Sequence, residues 1–87
     1  MNNSEKLIAA FAEALNIPQE NVTDDLAYQS IPEWDSVTHM ILISQLEEVF
    51  GIEIETDDVL DMSSVAKAKE IVSRYKIAIW FEQFINR

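Results

Sequence analysis

The stretch from Asp35 to Gly51 constrains the fold most, because it combines a marked helix start, an apolar interior and a marked stop. Asp35 predicts an N-cap, since its carboxylate can accept hydrogen bonds from the free amides of the first helical turn. Gly51 is the only glycine in the chain, and glycine just past a helix favours the left-handed conformation that ends it. Residues 36–50 are therefore predicted to form a helix. Its common inward side is expected to carry Met40, Ile43, Leu46, Val49 and Phe50, with Glu47 and Glu48 toward solvent.

A first helix and a long connection precede this element. Residues 4–15 show helical spacing, with Ser4 as the expected cap. Residues 16–35 then form a connection of a length that is uncommon in so small a domain unless it is functional or packed against the core. Four apolar side chains are expected to hold it down, namely Val22, Leu26, Tyr28 and Ile31.

Two shorter elements follow Gly51. Residues 52–55 alternate like a strand, but the chain offers no second strand for pairing, so we expect an extended loop with its isoleucines inward. Thr56 is expected to cap a short helix over residues 57–62. Ser64 is expected to cap the next helix, over residues 65–75.

The last twelve residues, 76–87, form an amphipathic segment whose apolar stripe does not continue that of residues 65–75. The stripe contains Ile77, Trp80, Phe81, Phe84 and Ile85. Either the chain bends near residues 75–77 and folds back, or one long helix presents Trp80, Phe81 and Phe84 to a partner or a second copy. The predicted fold is thus all-α: four helices with a long first loop and a short third helix in domain 1–75, plus a C-terminal helical extension, 76–87.

Composition narrows the function classes. The 87 residues carry sixteen acidic and six basic side chains, a net charge of −10, which opposes binding to nucleic acid. The chain has no cysteine, so disulfides and a thiol nucleophile are excluded. The start of the sequence resembles no secretory signal, and no segment approaches the ~18 apolar residues of a membrane span. A cytoplasmic location is expected.

Ser36 is the candidate functional residue. It is the first residue after the predicted cap, where unpaired amides and the positive end of the helix dipole suit a phosphate ester on its hydroxyl. A Ser36 nucleophile with His39 as its base is disfavoured, because no acid orients the histidine and no glycine-rich oxyanion loop accompanies the serine. No metal site is expected, since the aspartates that could suggest calcium lack the loop glycine of an EF-hand. These are Asp57, Asp58 and Asp61.

The chain resembles the acyl carrier protein family over residues 4–75. The resemblance rests on the Asp35-Ser36 pair at the start of helix two and on residues 46–54 (LEEVFGIEI) at its end. It can be followed without gaps from residues 20–23 (ENVT) to residues 62–65 (MSSV). The resemblance implies that a phosphopantetheinyl transferase attaches a phosphopantetheine arm to Ser36. It further implies that acyl groups ride on this arm as thioesters and pass between acyl-loading and acyl-using enzymes, while the protein itself catalyses nothing.

By the same resemblance, Asp35 belongs to the attachment motif. Residues that would contact partner enzymes are Trp34, Val37, Thr38, His39, Ile41, Glu47 and Glu48. Trp34 has packing of the loop as its alternative role. Walls that could shelter an acyl chain are Met40, Ile43, Leu46, Ile54, Val59, Met62 and Ile71, which are equally required as core residues.

This chain also departs from the carriers of fatty-acid synthesis. Thr38 and Ile41 stand where those carriers usually display acids, and Trp34 stands where a small residue is common. At these positions the chain is more similar to carriers of polyketide, peptide or other dedicated pathways. The sequence does not identify the cargo. The competing hypothesis is an acidic interaction module that works through Trp80, Phe81 and Phe84, with Ser36 inert.

Overall fold

Four α-helices form the fold, and the second carries the candidate site. The computed structural model describes the backbone of residues 2–85 and the side chains of residues 2–75. Within these described residues, the helices are α1 (Asn3–Leu15), α2 (Ser36–Phe50), α3 (Thr56–Asp61) and α4 (Val65–Ile85), with one 3-10 turn at Gln19–Asn21. The predicted all-α architecture, with its long first loop and short third helix, is confirmed.

The core lies between α1, α2 and α4, and α1 packs directly against α2. Each helix contributes side chains at the three- and four-residue spacing of one buried face. A valine, leucine, isoleucine or phenylalanine side chain contributes roughly 1.5–3 kcal/mol when it is fully buried. The buried members from these three helices are Leu7, Ala10, Phe11, Ala14, Leu15, Leu42, Ile43, Leu46, Phe50, Val65, Ala68, Ile71 and Val72.

Two predicted caps are wrong. Helix α1 is capped by Asn2 and not by Ser4, because Asn2 accepts a hydrogen bond from the Glu5 amide at 2.8 Å while the Glu5 carboxylate accepts from the Asn2 amide. Helix α3 starts at Thr56 itself, and Glu55 occupies its N-cap position without a side-chain bond. The cap predicted for α4 is confirmed, since the Ser64 hydroxyl oxygen accepts from an amide of the first turn.

The long first loop is packed down, as predicted. Val22 is buried, and the other three expected side chains are partly buried against the core. The backbone adds a contact that hydrophobic spacing does not reveal: the Tyr28 amide donates to the Ser63 carbonyl at 2.9 Å, and the Val65 amide donates to the Leu26 carbonyl at 3.0 Å. The loop is therefore joined to the segment between α3 and α4.

The stop signal after α2 is confirmed. Gly51 has a φ of +65° and caps the helix in the left-handed conformation. The following segment is extended and places Ile52 and Ile54 in the core, as expected. Glu47 is less exposed to solvent than predicted. The residue is only partly exposed, and its Oε2 accepts a hydrogen bond from the Ile54 amide at 2.9 Å.

Polar contacts hold the short helix α3 against α4. The Tyr75 hydroxyl donates to the Asp58 carboxylate and accepts from the Glu55 amide at 3.0 Å. Desolvation and the bond to Asp58 raise the pKa of the Tyr75 hydroxyl above its usual value. Arg74 adds an ion pair with Asp58 at 3.4 Å. The beginning of α3 is thus attached to the middle of α4.

Helix α4 continues from Val65 to Ile85 as one element, so the chain makes no helix break between residues 75 and 77. The predicted stripe of Trp80, Phe81 and Phe84 lies outside the residues whose side chains are described. Self-association through that stripe, and the division into residues 1–75 and 76–87, stay predictions. In the part of the chain that was described, no helix has the length and apolar character needed to cross a bilayer.

Candidate functional site

The start of α2 is held by a reciprocal set of hydrogen bonds around Asp35. One carboxylate oxygen of Asp35 accepts from the Val37 amide at 3.0 Å and from the Thr38 amide at 2.9 Å. The Thr38 hydroxyl accepts from the Asp35 amide and donates to the Glu33 carbonyl. The predicted N-cap is therefore confirmed as a capping box, with threonine in place of the usual glutamate or glutamine.

These bonds also affect the charge of the site. The hydrogen bond from the Thr38 amide is the largest cause that lowers the pKa of Asp35 below its usual value of 3.8. Asp35 is thus ionised at neutral pH, and its cap is lost only as the pH falls below that value. The stability that the cap contributes is present above pH 3.8 and decreases in stronger acid.

Ser36 is the first residue of α2 and is exposed. Neither its hydroxyl nor its amide has a hydrogen-bond partner among the described residues. The hydroxyl is therefore accessible to an enzyme and is not held by a general base. His39 does not act on Ser36, because both of its ring nitrogens are bonded elsewhere.

Trp34 has two predicted roles, packing of the loop or contact with a partner, and His39 is predicted to contact partners. The structure places both side chains inside the protein, which supports the packing role of Trp34. Trp34 is 0% exposed and His39 is 9% exposed. The Trp34 Nε1 donates to the His39 Nδ1 at 2.9 Å, and the His39 Nε2 lies 2.9 Å from the Val59 carbonyl oxygen. Because the indole N–H can only donate and the carbonyl can only accept, Nδ1 is the acceptor and Nε2 carries the proton. Neither side chain can form part of a docking surface.

The spacing of this pair is a signal that the sequence did contain. Asp35 is the N-cap, so Trp34 occupies the position before the cap and His39 the fourth helical position. These are the two positions that pack together in a hydrophobic staple. Trp34 also makes an edge-on contact with Phe11, with ring centroids 5.3 Å apart, and the Tyr28 ring lies 5.2 Å from His39.

Met40 and Val49 are not on the buried side of α2, contrary to the prediction. Their exposed fractions are 56% and 40%. The buried face is instead centred on His39 and includes residues three, four, seven and eleven positions later. At about 100° per residue, Met40 lies about 100° from the centre of that face, which turns it toward solvent. Met40 is therefore excluded from the predicted acyl-chain walls.

The remaining predicted walls are in the core. Val59 is partly buried, and the others are at most 8% exposed. The buried members are Ile43, Leu46, Ile54, Met62 and Ile71. Their burial is what a packed core requires by itself, so an acyl-chain contact by these residues stays a prediction.

The exposed surface of α2 that follows Ser36 is apolar. Val37 is 68% exposed and Ile41 is 46% exposed, so both are available for the predicted partner contact. Thr38 is only partly exposed, and its hydroxyl is used in the capping box. Glu48 is exposed at the far end of α2. No carboxylate occurs in α2 between Ser36 and Leu46.

The residues at this helix start fit a phosphopantetheine group on Ser36. The hydroxyl is exposed, the Ser36 amide is free among the described residues, and the positive end of the α2 dipole faces the same place. Asp35 repels a phosphate by its charge, and its carboxylate already accepts from two of the helix amides that could otherwise bind the phosphate. The attachment would therefore depend on the covalent bond to the serine more than on anion binding.

Comparison with known proteins agrees with this fit. The family model described as the phosphopantetheine attachment site matches residues 5–72. An acyl carrier protein of Lactobacillus johnsonii is 30% identical over 71 residues, which cover 82% of this chain and 89% of that protein. An acyl carrier protein of Rubrobacter xylanophilus is 28% identical over 74 residues, covering 85% and 91%. Members of this family carry cargo and are not enzymes. The chain therefore belongs to the acyl carrier protein family and contains the phosphopantetheine attachment domain of that family.

Proposed function

We propose that Ser36 carries the phosphopantetheine arm and that the protein presents acyl groups to the enzymes of a dedicated pathway. The observation that carries the first proposal is the exposed, unpaired hydroxyl of Ser36 at the capped start of α2. In the transfer from coenzyme A, the Ser36 oxygen bonds to phosphorus, the phosphoanhydride bond breaks, the nucleotide leaves and the hydroxyl proton passes to the transferase. The bound group supplies a terminal thiol for thioester chemistry, which this cysteine-free chain lacks.

The chain's own residues position this serine. Asp35 and Thr38 close the first turn of α2 from both directions, so the backbone at Ser36 is constrained on either side. The buried Trp34 fixes the residue before the cap against α1 through Phe11. These contacts leave the Ser36 hydroxyl at the surface, where an enzyme can reach it.

The proposal of dedicated partners rests on the surface around Ser36. Any enzyme that acts on Ser36 must also approach Val37, Met40 and Ile41, which lie within about 8 Å along the helix axis. These exposed side chains are apolar, and the first carboxylate after Asp35 in this helix is Glu47. Enzymes that bind by apolar contact fit this surface better than enzymes that depend on basic patches. The cargo is an acyl group or a related intermediate.

Attachment can be tested by mass spectrometry after incubation with a phosphopantetheinyl transferase and coenzyme A. We expect the wild-type protein to gain the mass of one phosphopantetheine group and Ser36→Ala to gain nothing. Ser44→Ala is the matched control, because Ser44 is an exposed serine of the same helix, and it should be modified like wild type. No gain on wild type, or full modification of Ser36→Ala, would refute the proposal.

The apolar docking surface can be tested by adding one charge. Ile41→Asp should lower kcat/KM for the transferase about tenfold, since a carboxylate would be desolvated at an apolar contact. Ser44→Asp adds the same charge to the same helix one turn farther from Ser36 and should change kcat/KM less than about threefold. Equal losses in the two variants would instead indicate a general effect of negative charge.

A further inference from the structure

An open cleft of about 350 Å³ lies beside Ser36, on the side of the first loop. It is lined by Gln29, Ser30, Ile31, Pro32, Trp34 and Asp35. The lining ends at the residue immediately before Ser36, so a group attached to the serine starts at the edge of the cleft. The inference below rests on the proposed attachment to Ser36.

The loop that forms the cleft has a defined shape. The Gln29 amide donates to the Trp34 carbonyl at 3.0 Å, and Gln29 has a φ of +65°. The Ser30 hydroxyl donates to the Ala27 carbonyl at 2.6 Å and accepts from the Ala27 amide. With Trp34 buried, the floor of the cleft is part of the packed core. The cleft therefore belongs to the fold and does not depend on one exposed side chain.

The boundary between α2 and α3 near Ser36 is closed by a hydrogen bond in this structure. His39 lies one turn after Ser36, and its Nε2 donates to the Val59 carbonyl across the boundary between α2 and α3. In the core of the domain, Leu46, Met62 and Ile71 are at most 1% exposed. A chain that enters between α2 and α3 next to Ser36 must first break the bond between His39 and Val59 and separate packed side chains. The cleft requires neither change.

The chemistry of the cleft selects one part of the prosthetic group. Its six lining residues include no cation, and Asp35 at the edge repels the phosphate. Ile31 and Pro32 supply apolar surface, while the exposed Gln29 offers an amide that can both donate and accept. The pantetheine portion has the matching composition, with two amides separated by short aliphatic segments and one dimethyl carbon.

We infer that this cleft binds the pantetheine portion of the arm, so that the cargo is presented on the loop side of Ser36 and not between α2 and α3. The volume is within the range of about 300–1,000 Å³ that is usual for small-molecule sites. The contact can be weak, because the tether supplies an effective concentration on the order of 1 mM. A site with a Kd of about 1 mM is then occupied about half of the time.

The test compares nitrogen-15 spectra of the full chain before and after loading by the transferase with coenzyme A. We expect the backbone amides of Gln29, Ser30 and Ile31, which line the cleft, to shift more than the amides of Val59 and Met62. We also expect nuclear Overhauser contacts between the methyl groups of the arm and the Ile31 side chain. Contacts to Met62 or Ile71, or shifts limited to residues 36–38, would overturn the inference.

A matched pair of glutamine variants tests the polar contact. Gln29→Ala should reduce the loading-induced shifts at Ser30 and Ile31 by about threefold or more, because losing one hydrogen bond lowers the occupancy of a weak site. Gln19→Ala removes an exposed glutamine outside the cleft and should leave those shifts unchanged. Equal effects in both variants would overturn the inference. The mass spectrum of each sample separates the two proposals: no mass gain refutes attachment, whereas a mass gain without shifts at residues 29–34 refutes only the cleft.

Discussion

Trp34→Ala is expected to lower the free energy of unfolding by about 3–5 kcal/mol, the usual cost of removing a buried large aromatic side chain. Trp34 is fully buried, makes an edge-on contact with Phe11 and donates its indole N–H to His39. A domain of this size is stabilised by roughly 5–15 kcal/mol in total, so the variant would lose a large share of its stability. Urea unfolding followed by circular dichroism measures the change.

The comparison variant for this prediction is Met40→Ala. Met40 is another large apolar residue close to Ser36, but it is 56% exposed. Its removal should change the free energy of unfolding by no more than about 0.5 kcal/mol. If Trp34→Ala cost as little as Met40→Ala, the indole would not be a core residue. The other predicted role of Trp34, contact with a partner, would then be favoured.

The local features of α2 could be predicted from the sequence because their hydrogen bonds join residues close in the chain. Asp35 accepts from amides two and three residues later, and Gly51 needs only its own positive φ. The same reasoning did not find Asn2 as the cap of α1, because Ser4 is an equally suitable residue type. In such cases the type of capping residue is predictable, but its exact position depends on how far the helix extends toward the N-terminus.

The orientation of side chains around Ser36 was less predictable. The direction of Met40 depends on the centre of the buried face, and that centre is set by His39, a polar residue that hydropathy patterns place outside. His39 can be buried because Trp34 and Val59 bond to both of its ring nitrogens. The centre of the predicted stripe was nearly correct, since Ile43, Leu46 and Phe50 are buried as expected. The errors are the two flanking residues that were expected inside and the buried histidine that was expected outside.

Local patterns predicted which side chains of the first loop are packed down, but they did not predict the path of its backbone. Its backbone bonds to Ser63 and Val65 join residues that are far apart in sequence, and they form only in the assembled fold. The cleft at residues 29–35 is a consequence of that path. The proposed attachment residue was therefore found from the sequence, whereas the surroundings that could receive the arm required the structure.

The hydrogen bond between Trp34 and His39 gives the second large expected effect. His39→Leu replaces the imidazole by an apolar side chain of similar size and leaves the Trp34 indole N–H and the Val59 carbonyl without partners. A buried group without a partner costs about 1–3 kcal/mol, and the partly buried Val59 carbonyl costs less than the indole N–H, so the free energy of unfolding should fall by about 2–4 kcal/mol. Trp34→Phe replaces the indole by a smaller aromatic ring without a donor. The lost hydrogen bond should cost about 1–3 kcal/mol, and the cavity left by the smaller ring adds to this loss.

The double variant Trp34→Phe with His39→Leu separates this bond from general packing. It removes donor and acceptor together, so neither is left buried without its partner, and only the Val59 carbonyl stays unpaired. We expect the double variant to be more stable than the sum of the single losses predicts, by about 0.5–3 kcal/mol. Urea unfolding of all four proteins completes the cycle. Additivity to within about 0.3–0.5 kcal/mol would mean that the two side chains do not interact, and that His39 does not couple the turn before Ser36 to helix α3.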